Sequence, residues 1–160
     1  MLIPKDSLES TPKYKLTYID SSINNDILLD YTELLSESET IIIKKTIALF
    51  EESWPSLSID KILYLNKENE LHIILKNKTN IFFTLQDFTK KTGEIQDYQH
   101  LRLQLLTLKT FIENHKEEIE QHVYTYLDTR IPGKIFICKD TQLCNQNIKT
   151  IYPDISNTYE

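Results

Sequence analysis

The sequence predicts an α+β domain, with a mostly antiparallel sheet (a β-meander plus a C-terminal hairpin) and two helices packed on one face. Apolar runs broken by short turn clusters between residues 59 and 85 indicate the meander. Stretches of helical periodicity flank it, and two short alternating segments follow the second helix. The chain has 160 residues, 40% of them hydrophobic, which suffices for one core and hardly for two.

Residues 1–35 are predicted to be an extended lead-in with one strand. The opening, residues 2–12, is polar and contains two prolines. Residues 13–20 alternate as a strand does, and the polar run at 21–26 ends that strand. The chain has only two glycines, so its turns must use Asn, Asp, Ser and Pro.

A first helix opens the predicted core domain, residues 36–138. Ser36 and Glu39 can form a capping box at its start, and Pro55 stops the run soon after Ser53. We expect one apolar stripe to face the core, formed by Ile43, Ile47, Phe50 and Trp54.

The meander is predicted from three apolar runs separated by turns at residues 66–69 and 77–79. Its apolar residues are Leu63, Leu65, Leu71, Ile73, Leu75, Ile81, Phe83 and Leu85. They alternate with Tyr64, His72, Lys76 and Thr84. This pattern predicts one packed face and one solvated face.

A second helix is predicted over residues 97–120, with an apolar stripe formed by Leu101, Leu105, Leu108, Ile112 and Ile119. Residues 123–130 and 134–138 follow as two strands joined by a tight turn. Residues 139–160 form a polar C-terminal tail that we expect to be loosely held or partly disordered, with a weak strand at residues 148–152.

Composition excludes several classes of function. The net charge is −6 and the lysines are scattered, so nucleic acid is not an expected partner. No run approaches the roughly 20 apolar residues of a membrane-spanning helix, so the chain as given is expected to be soluble, and an upstream anchor stays an open question. The spacing of Cys138 and Cys144 favours free thiols, with a small loop-closing disulfide as the alternative.

No catalytic, metal or cofactor site is predicted. His72, His100, His115 and His122 lack the spacing of a helical zinc site. Two glycines leave little room for a nucleophile turn or a phosphate-binding loop. The glycosylation sequon Asn77-Lys78-Thr79 is explained as a turn. We therefore expect a protein that is not an enzyme.

The last hairpin carries the clearest functional signal. Tyr124, Tyr126, Asp128 and Arg130 alternate onto one face of a strand, and Ile135 and Phe136 lie in the strand that follows. One interpretation is a surface pair, Asp128 with Arg130, beneath tyrosines that cover the sheet. The other is an open edge that accepts a strand from a partner protein.

The segment from Tyr126 to Ile137, YLDTRIPGKIFI, resembles the signature "Y-[IV]-D-L-R-x-P-x-[KR]-[IV]" near the end of the extracytoplasmic domain of FtsQ/DivIB-type bacterial division proteins. A similar meander and Leu-rich helix precede the signature there, so the resemblance extends over about residues 41–138. The chain departs from the family at Lys78, where Gly is usual, and at Thr129, where Leu is usual. The transmembrane helix and the small domain after it are also missing.

The resemblance implies a non-enzymatic division scaffold on the outer face of the cytoplasmic membrane, anchored through a segment absent from this chain. It would dock coiled-coil partners of the FtsB/FtsL or DivIC type by strand addition at its C-terminal edge. The partner-binding residues are then Tyr124, Tyr126, Arg130, Lys134, Ile135, Phe136 and Ile137. The alternative function is a cytosolic acidic α+β adaptor or a secretion-chaperone-like dimer.

Overall fold

The computed structural model describes residues 15–19, 37–65, 67–85, 99–153, 155 and 159. Of the predicted lead-in, the structure describes only residues 15–19, which form the predicted strand, while the opening at 2–12, the polar run at 21–26 and Ser36 of the capping box lie outside the described residues. The described elements, in chain order, are β1 (Lys15–Ile19), α1 (Glu37–Ser53), β2 (Ile59–Leu65), β3 (Glu70–Leu75), β4 (Asn80–Thr84), α2 (Gln99–Glu120), β5 (Tyr126–Asp128), β6 (Phe136–Cys138) and α3 (Thr141–Ile151).

The sheet has its six described strands in sequence order, β1 to β6. β2, β3 and β4 pair antiparallel as the predicted meander, and β5 and β6 form the predicted antiparallel hairpin. The β1–β2 and β4–β5 pairs are parallel, because α1 and α2 provide the crossover connections that parallel neighbours require. The α+β class with a mostly antiparallel sheet is confirmed.

Helix α1 buries the stripe that its sequence predicts. Ile43, Ile47, Phe50 and Trp54 are all buried. The Trp54 amide donates to the Phe50 carbonyl at 2.9 Å, and the two rings meet edge to face with centroids 4.8 Å apart. Trp54 is therefore a core residue at the end of the helix, as expected.

The meander is buried on both faces, so the predicted solvated face is wrong. Of the four residues predicted to be solvated, Tyr64, His72 and Thr84 are buried along with the apolar residues, and Lys76 is exposed as predicted. The face assigned to the first strand was also wrong, because Tyr64 lies opposite Leu71 and shares its face, while Leu63 lies opposite His72.

Two hydrophobic cores result, one on each face of the sheet. The major core contains Tyr64, Leu71, Ile73, Ile81 and Phe83 of the sheet together with residues of both α1 and α2. The minor core consists of Leu63, Leu65, Ile74, Phe82, Ile148, Tyr152 and Tyr159, with Tyr126 and Ile155 packed against it.

Helix α3 covers the face of the sheet that carries the minor core, so this face is buried. The sequence predicted a loosely held tail with a weak strand at 148–152, and both expectations are wrong for the described part of it. Asp140 caps the helix by accepting the Leu143 amide, and Cys144 and Ile148 form its buried side. Tyr152 and Tyr159 then continue the minor core beyond the helix.

Candidate docking edge and the polar cluster beside it

Strand β6 is an edge of the sheet within the part of the chain that the structure describes. It pairs with β5 alone, with Phe136 opposite Asp128 and Ile137 opposite Leu127. Phe136 and Ile137 are 48% and 46% exposed. Since successive strand residues point to opposite faces, this edge presents one apolar side chain on each face.

The turn of the hairpin is fixed by its backbone. Gly133 has φ of +75°, a conformation that favours glycine, and the Lys134 amide donates to the Ile131 carbonyl at 3.0 Å. Thr129 holds the end of β5, because both its amide and its hydroxyl donate to the Phe82 carbonyl, at 3.0 and 2.8 Å. Ile131 and Lys134 are exposed, whereas Ile135 packs against the major core.

A disulfide joins β6 to α3. Cys138 and Cys144 are bonded, with Cα atoms 5.8 Å apart, so the expectation of free thiols is wrong and the alternative is confirmed. Both cysteines are buried. The bond fastens the C-terminal end of the edge strand to the helix that covers the minor core.

Tyr124 does not belong to this surface. The sequence placed it on one face with Tyr126, but Tyr124 lies buried in the major core while Tyr126 packs against the minor core. Its hydroxyl donates to the Glu118 carboxylate, which lies 3.3 Å from the Lys139 ammonium. The hydrogen bond from Tyr124 is the main reason that the pKa of Glu118 falls to about 2, and burial together with Glu118 raises the pKa of Tyr124 to about 12.

Tyr126 is half-buried. Its ring stacks on Phe82 with centroids 5.4 Å apart, and its hydroxyl accepts a 3.4 Å hydrogen bond from Asn147 of α3. Tyr126 therefore packs on the minor-core face of the hairpin, and only part of its ring is accessible.

Arg130 is directed inward and is engaged by the protein itself. Its Nε and Nη2 atoms donate to the two oxygens of Asp128 at 2.9 and 2.7 Å, and Nη1 donates to Glu70 at 2.8 Å and to the Tyr152 hydroxyl at 2.6 Å. The expected pairing of Asp128 with Arg130 is present, but it is partly buried. Burial would lower the pKa of Arg130, yet the two carboxylates raise it overall, so Arg130 stays charged.

His72 completes a polar cluster that sequence reasoning missed. The cluster consists of Glu70, His72, Asp128, Arg130, Tyr152 and Tyr159. His72 is fully buried, 2.9 Å from Glu70 and 2.6 Å from the Tyr159 hydroxyl. Burial lowers its pKa, and Glu70 offsets only part of that effect. From the sequence, His72 was assigned to the solvated face and Glu70 was not considered, although the two residues lie two positions apart on one strand and so share a face.

The structure thus divides the seven predicted partner-binding residues. Lys134, Phe136 and Ile137 are exposed on the hairpin, and Tyr126 and Ile135 are half-buried beneath it. Tyr124 and Arg130 are turned away, into the core and the polar cluster. Ile131, which the sequence analysis did not select, is exposed next to this set.

Among the described residues, no group of three or more His, Cys, Asp or Glu side chains could hold a metal ion. Within the same residues, no helix combines the length and the apolar character needed to cross a membrane. No protein-family model matches the chain, and no curated protein matches it significantly.

Proposed function

We propose that this protein is a non-enzymatic docking module, and that strand β6 accepts a strand from a partner protein. The observation that carries the proposal is the edge itself. Among the described residues β6 pairs with β5 only, and it exposes Phe136 and Ile137 on opposite faces. An edge of this kind has backbone groups free for a partner strand and apolar side chains to contact it.

The exposed side chains of this edge support binding. Proteins commonly protect edge strands by keeping them very short or by adding lysines, inward-pointing charges, prolines or bulges, and β6 has only three residues, with Lys134 and Lys139 beyond its ends. Its two exposed side chains, Phe136 and Ile137, are nevertheless apolar. Charged flanks can set the register of an incoming strand, and the apolar centre supplies affinity.

The protein also holds the edge in place before a partner arrives. The disulfide to Cys144 fastens one end of β6, and the Thr129 contacts with Phe82 fasten the neighbouring strand. A surface that is already ordered loses less conformational entropy on binding. This arrangement supports a docking role for the hairpin.

The class of partner comes from the resemblance to FtsQ/DivIB-type proteins. We propose a division protein with a short coiled coil, of the FtsB/FtsL or DivIC type, as the molecule whose strand adds to β6. The Cys138–Cys144 disulfide supports a location outside the cytoplasm, since disulfides persist mainly in oxidising compartments.

A second candidate function is a dimeric adaptor. Leu103 and Leu106 lie one helical turn apart on α2 and are both exposed, which favours a helix-mediated contact with another copy of the chain. Gel filtration separates the two candidates. A stable dimer that Leu106→Glu converts to a monomer would favour the adaptor.

The docking proposal is tested by binding of the membrane-proximal segment of the division partner from the same organism. We expect Phe136→Glu and Ile137→Glu each to weaken binding by about 30-fold, equivalent to about 2 kcal/mol for a central apolar contact. Leu143→Glu is the matched control, because Leu143 is an exposed leucine of α3 and not a residue of β6. Arg130→Glu is unsuitable as a probe, since it disrupts the polar cluster.

Unchanged binding by both correctly folded β6 variants would reject the docking surface. Equal weakening by Leu143→Glu would show that the contact is not specific to the edge.

A further inference from the structure

The backbone of Ile137 is directed away from the sheet. The Cys138 carbonyl accepts the Thr125 amide at 2.8 Å, so Cys138 directs its backbone groups towards β5. Because successive residues of a strand direct their N–H and C=O groups to alternate sides, Phe136 also faces β5 and Ile137 faces outward. Among the described strands β6 pairs with β5 alone, so no strand of this part of the chain bonds the outward groups of Ile137.

A second copy of the chain can meet this edge around a two-fold axis at Ile137. Two directly opposite residues of an antiparallel pair can exchange both N–H···O bonds. With Ile137 opposite its own copy, Ile135 lies opposite Lys139, and both have the outward orientation by the same alternation. A shift by two residues, the smallest that keeps outward groups together, would place Lys139 opposite Gly133 of the turn or Ile135 opposite Thr141 of α3.

The apolar side chains of β6 are self-complementary in this register. Ile137 lies opposite Leu127 of the major core, so Ile137 would contact its own copy on that face of the sheet. Phe136 would lie opposite Cys138 of the second copy on the other face. Directly opposite side chains in an antiparallel pair contact each other. The pairing would therefore bury the two side chains of β6 that are exposed in the monomer.

The charges at the two ends of β6 are complementary as well. In the same register Lys134 lies opposite Asp140 of the second copy, and the two-fold axis repeats this pair at the other end. Both side chains are exposed. Asp140 caps α3 through Oδ1, which accepts the Leu143 amide at 2.9 Å, so a lysine can approach its other oxygen. Opposite charges at both ends favour this register.

We propose that β6 pairs with β6 of a second copy, in an antiparallel two-fold dimer centred on Ile137, so that one sheet continues through both molecules. The dimer shares the open edge with the proposed function but requires no other protein. A partner strand and a second copy need the same outward backbone groups, so dimerisation and docking exclude each other. Formation of the dimer therefore lowers the concentration of chain that can bind a partner.

The size of the contact makes this a weak dimer. The paired ribbon consists of residues 134–140, whereas a stable interface buries roughly 800 Å² on each partner. We expect a dissociation constant between about 10 µM and about 1 mM.

Sedimentation equilibrium of the full chain at concentrations up to about 2 mM tests the proposal. Ile137→Pro removes the outward N–H but no bond to β5, and an edge strand tolerates proline where the N–H faces solvent. Two N–H···O bonds are lost by symmetry, so the dimer should weaken at least about tenfold. Leu106→Glu is the matched control on the exposed face of α2 and should leave association unchanged.

The charge pairs provide a second test in the same assay. Lys134→Glu places a carboxylate opposite Asp140 at both ends and should weaken the dimer about fivefold at low ionic strength. Adding Asp140→Asn to this variant removes the repulsion while asparagine still caps α3, so it should restore part of the association.

Amide hydrogen exchange locates the contact. The Ile137 amide should gain protection as the protein concentration rises, whereas the amides of Phe136 and Cys138 face β5 and should change little.

A wild-type chain that remains monomeric at about 2 mM would overturn the proposal. A dimer that persists in Ile137→Pro, or that Leu106→Glu dissociates, would overturn it too. If Ile137→Pro does not fold, Lys134→Glu decides, and unchanged association at low ionic strength overturns the register. Binding of the division-partner segment is measured at low micromolar concentration, where the dimer is dissociated, so the docking proposal and the dimer can fail independently.

Discussion

Replacing Arg130 with methionine tests whether the polar cluster stabilises the fold. The substitution keeps an unbranched, apolar side chain but removes the guanidinium that binds Glu70, Asp128 and Tyr152. Two carboxylates would then remain in a largely buried site without a cation. We expect a large loss of stability, because uncompensated charge is costly in such a site.

The structure sets the size of that loss. The side chains of Arg130, Glu70 and Asp128 are 23%, 12% and 15% exposed. Breaking a buried ion pair by removing one partner costs roughly 3–5 kcal/mol, and the residual exposure places this case at the low end, about 3 kcal/mol. With a urea m-value of about 2 kcal/mol/M, the unfolding midpoint should fall by about 1.5 M.

Urea unfolding followed by circular dichroism measures the effect. Lys78→Met is the matched control, because Lys78 pairs with Asp60 at 3.4 Å with both side chains exposed, and such pairs contribute about 0–1 kcal/mol. Without Arg130 the pKa of Glu70 should rise from its lowered value, because one of the hydrogen bonds that lower it is lost, so wild type and variant should converge in stability as the pH falls below about 4.5. A loss for Arg130→Met no larger than for Lys78→Met would refute the reasoning.

Three further predictions concern neighbouring contacts. The double variant Cys138→Ser, Cys144→Ser should lower the free energy of unfolding by about 2 kcal/mol, as expected for loss of a disulfide that closes a short loop. Under reducing conditions, where the wild type also lacks the disulfide, the double variant and the wild type should have nearly equal stability. Gln104→Leu should cost roughly 1–3 kcal/mol in urea unfolding, because the Gln104 amide bonds both the amide and the carbonyl of Thr84, at 2.8 and 2.9 Å. Gln104→Glu should cost at least as much as the leucine at neutral pH, because its ionised carboxylate would be buried and would face the Thr84 carbonyl oxygen. Tyr124→Phe should raise the pKa of Glu118 from about 2 towards 4.5 in an NMR titration, and an unchanged pKa would show that the hydroxyl is not its main cause.

The strands and the first two helices could be predicted because their patterns are local. Alternation and turn residues define the meander, and Asn69 and Lys78 adopt positive φ at the turns that the sequence indicated. The faces of the meander could not be assigned in the same way. The turn after Leu65 sets a register in which Tyr64, and not Leu63, lies opposite Leu71, and α3 buries the face that was predicted to be solvated.

Helix α3 was missed because its sequence is polar and short. It nevertheless carries a recognisable start, since Asp140 precedes Cys144, Ile148 and Tyr152 at a spacing of four residues. The buried tyrosines in a polar segment were a second signal that the tail packs against the domain.

The candidate site was predictable only in part. The edge hairpin follows from local alternation and its glycine turn, so Phe136 and Ile137 were found. The orientation of Arg130 was not, because it depends on contacts with residues 60 and 22 positions away in the chain. The distinction between Tyr124 and Tyr126 arises from irregular backbone before β5, where the Thr125 amide bonds the Cys138 carbonyl at 2.8 Å.

Amide hydrogen exchange of β6 with and without the partner segment tests the central claim most directly. Strand addition requires new backbone hydrogen bonds along the outer side of this strand, so amides within residues 136–138 should gain protection when the segment binds. Protection gained only on α2 or α3, with these amides unchanged, would contradict docking at the edge.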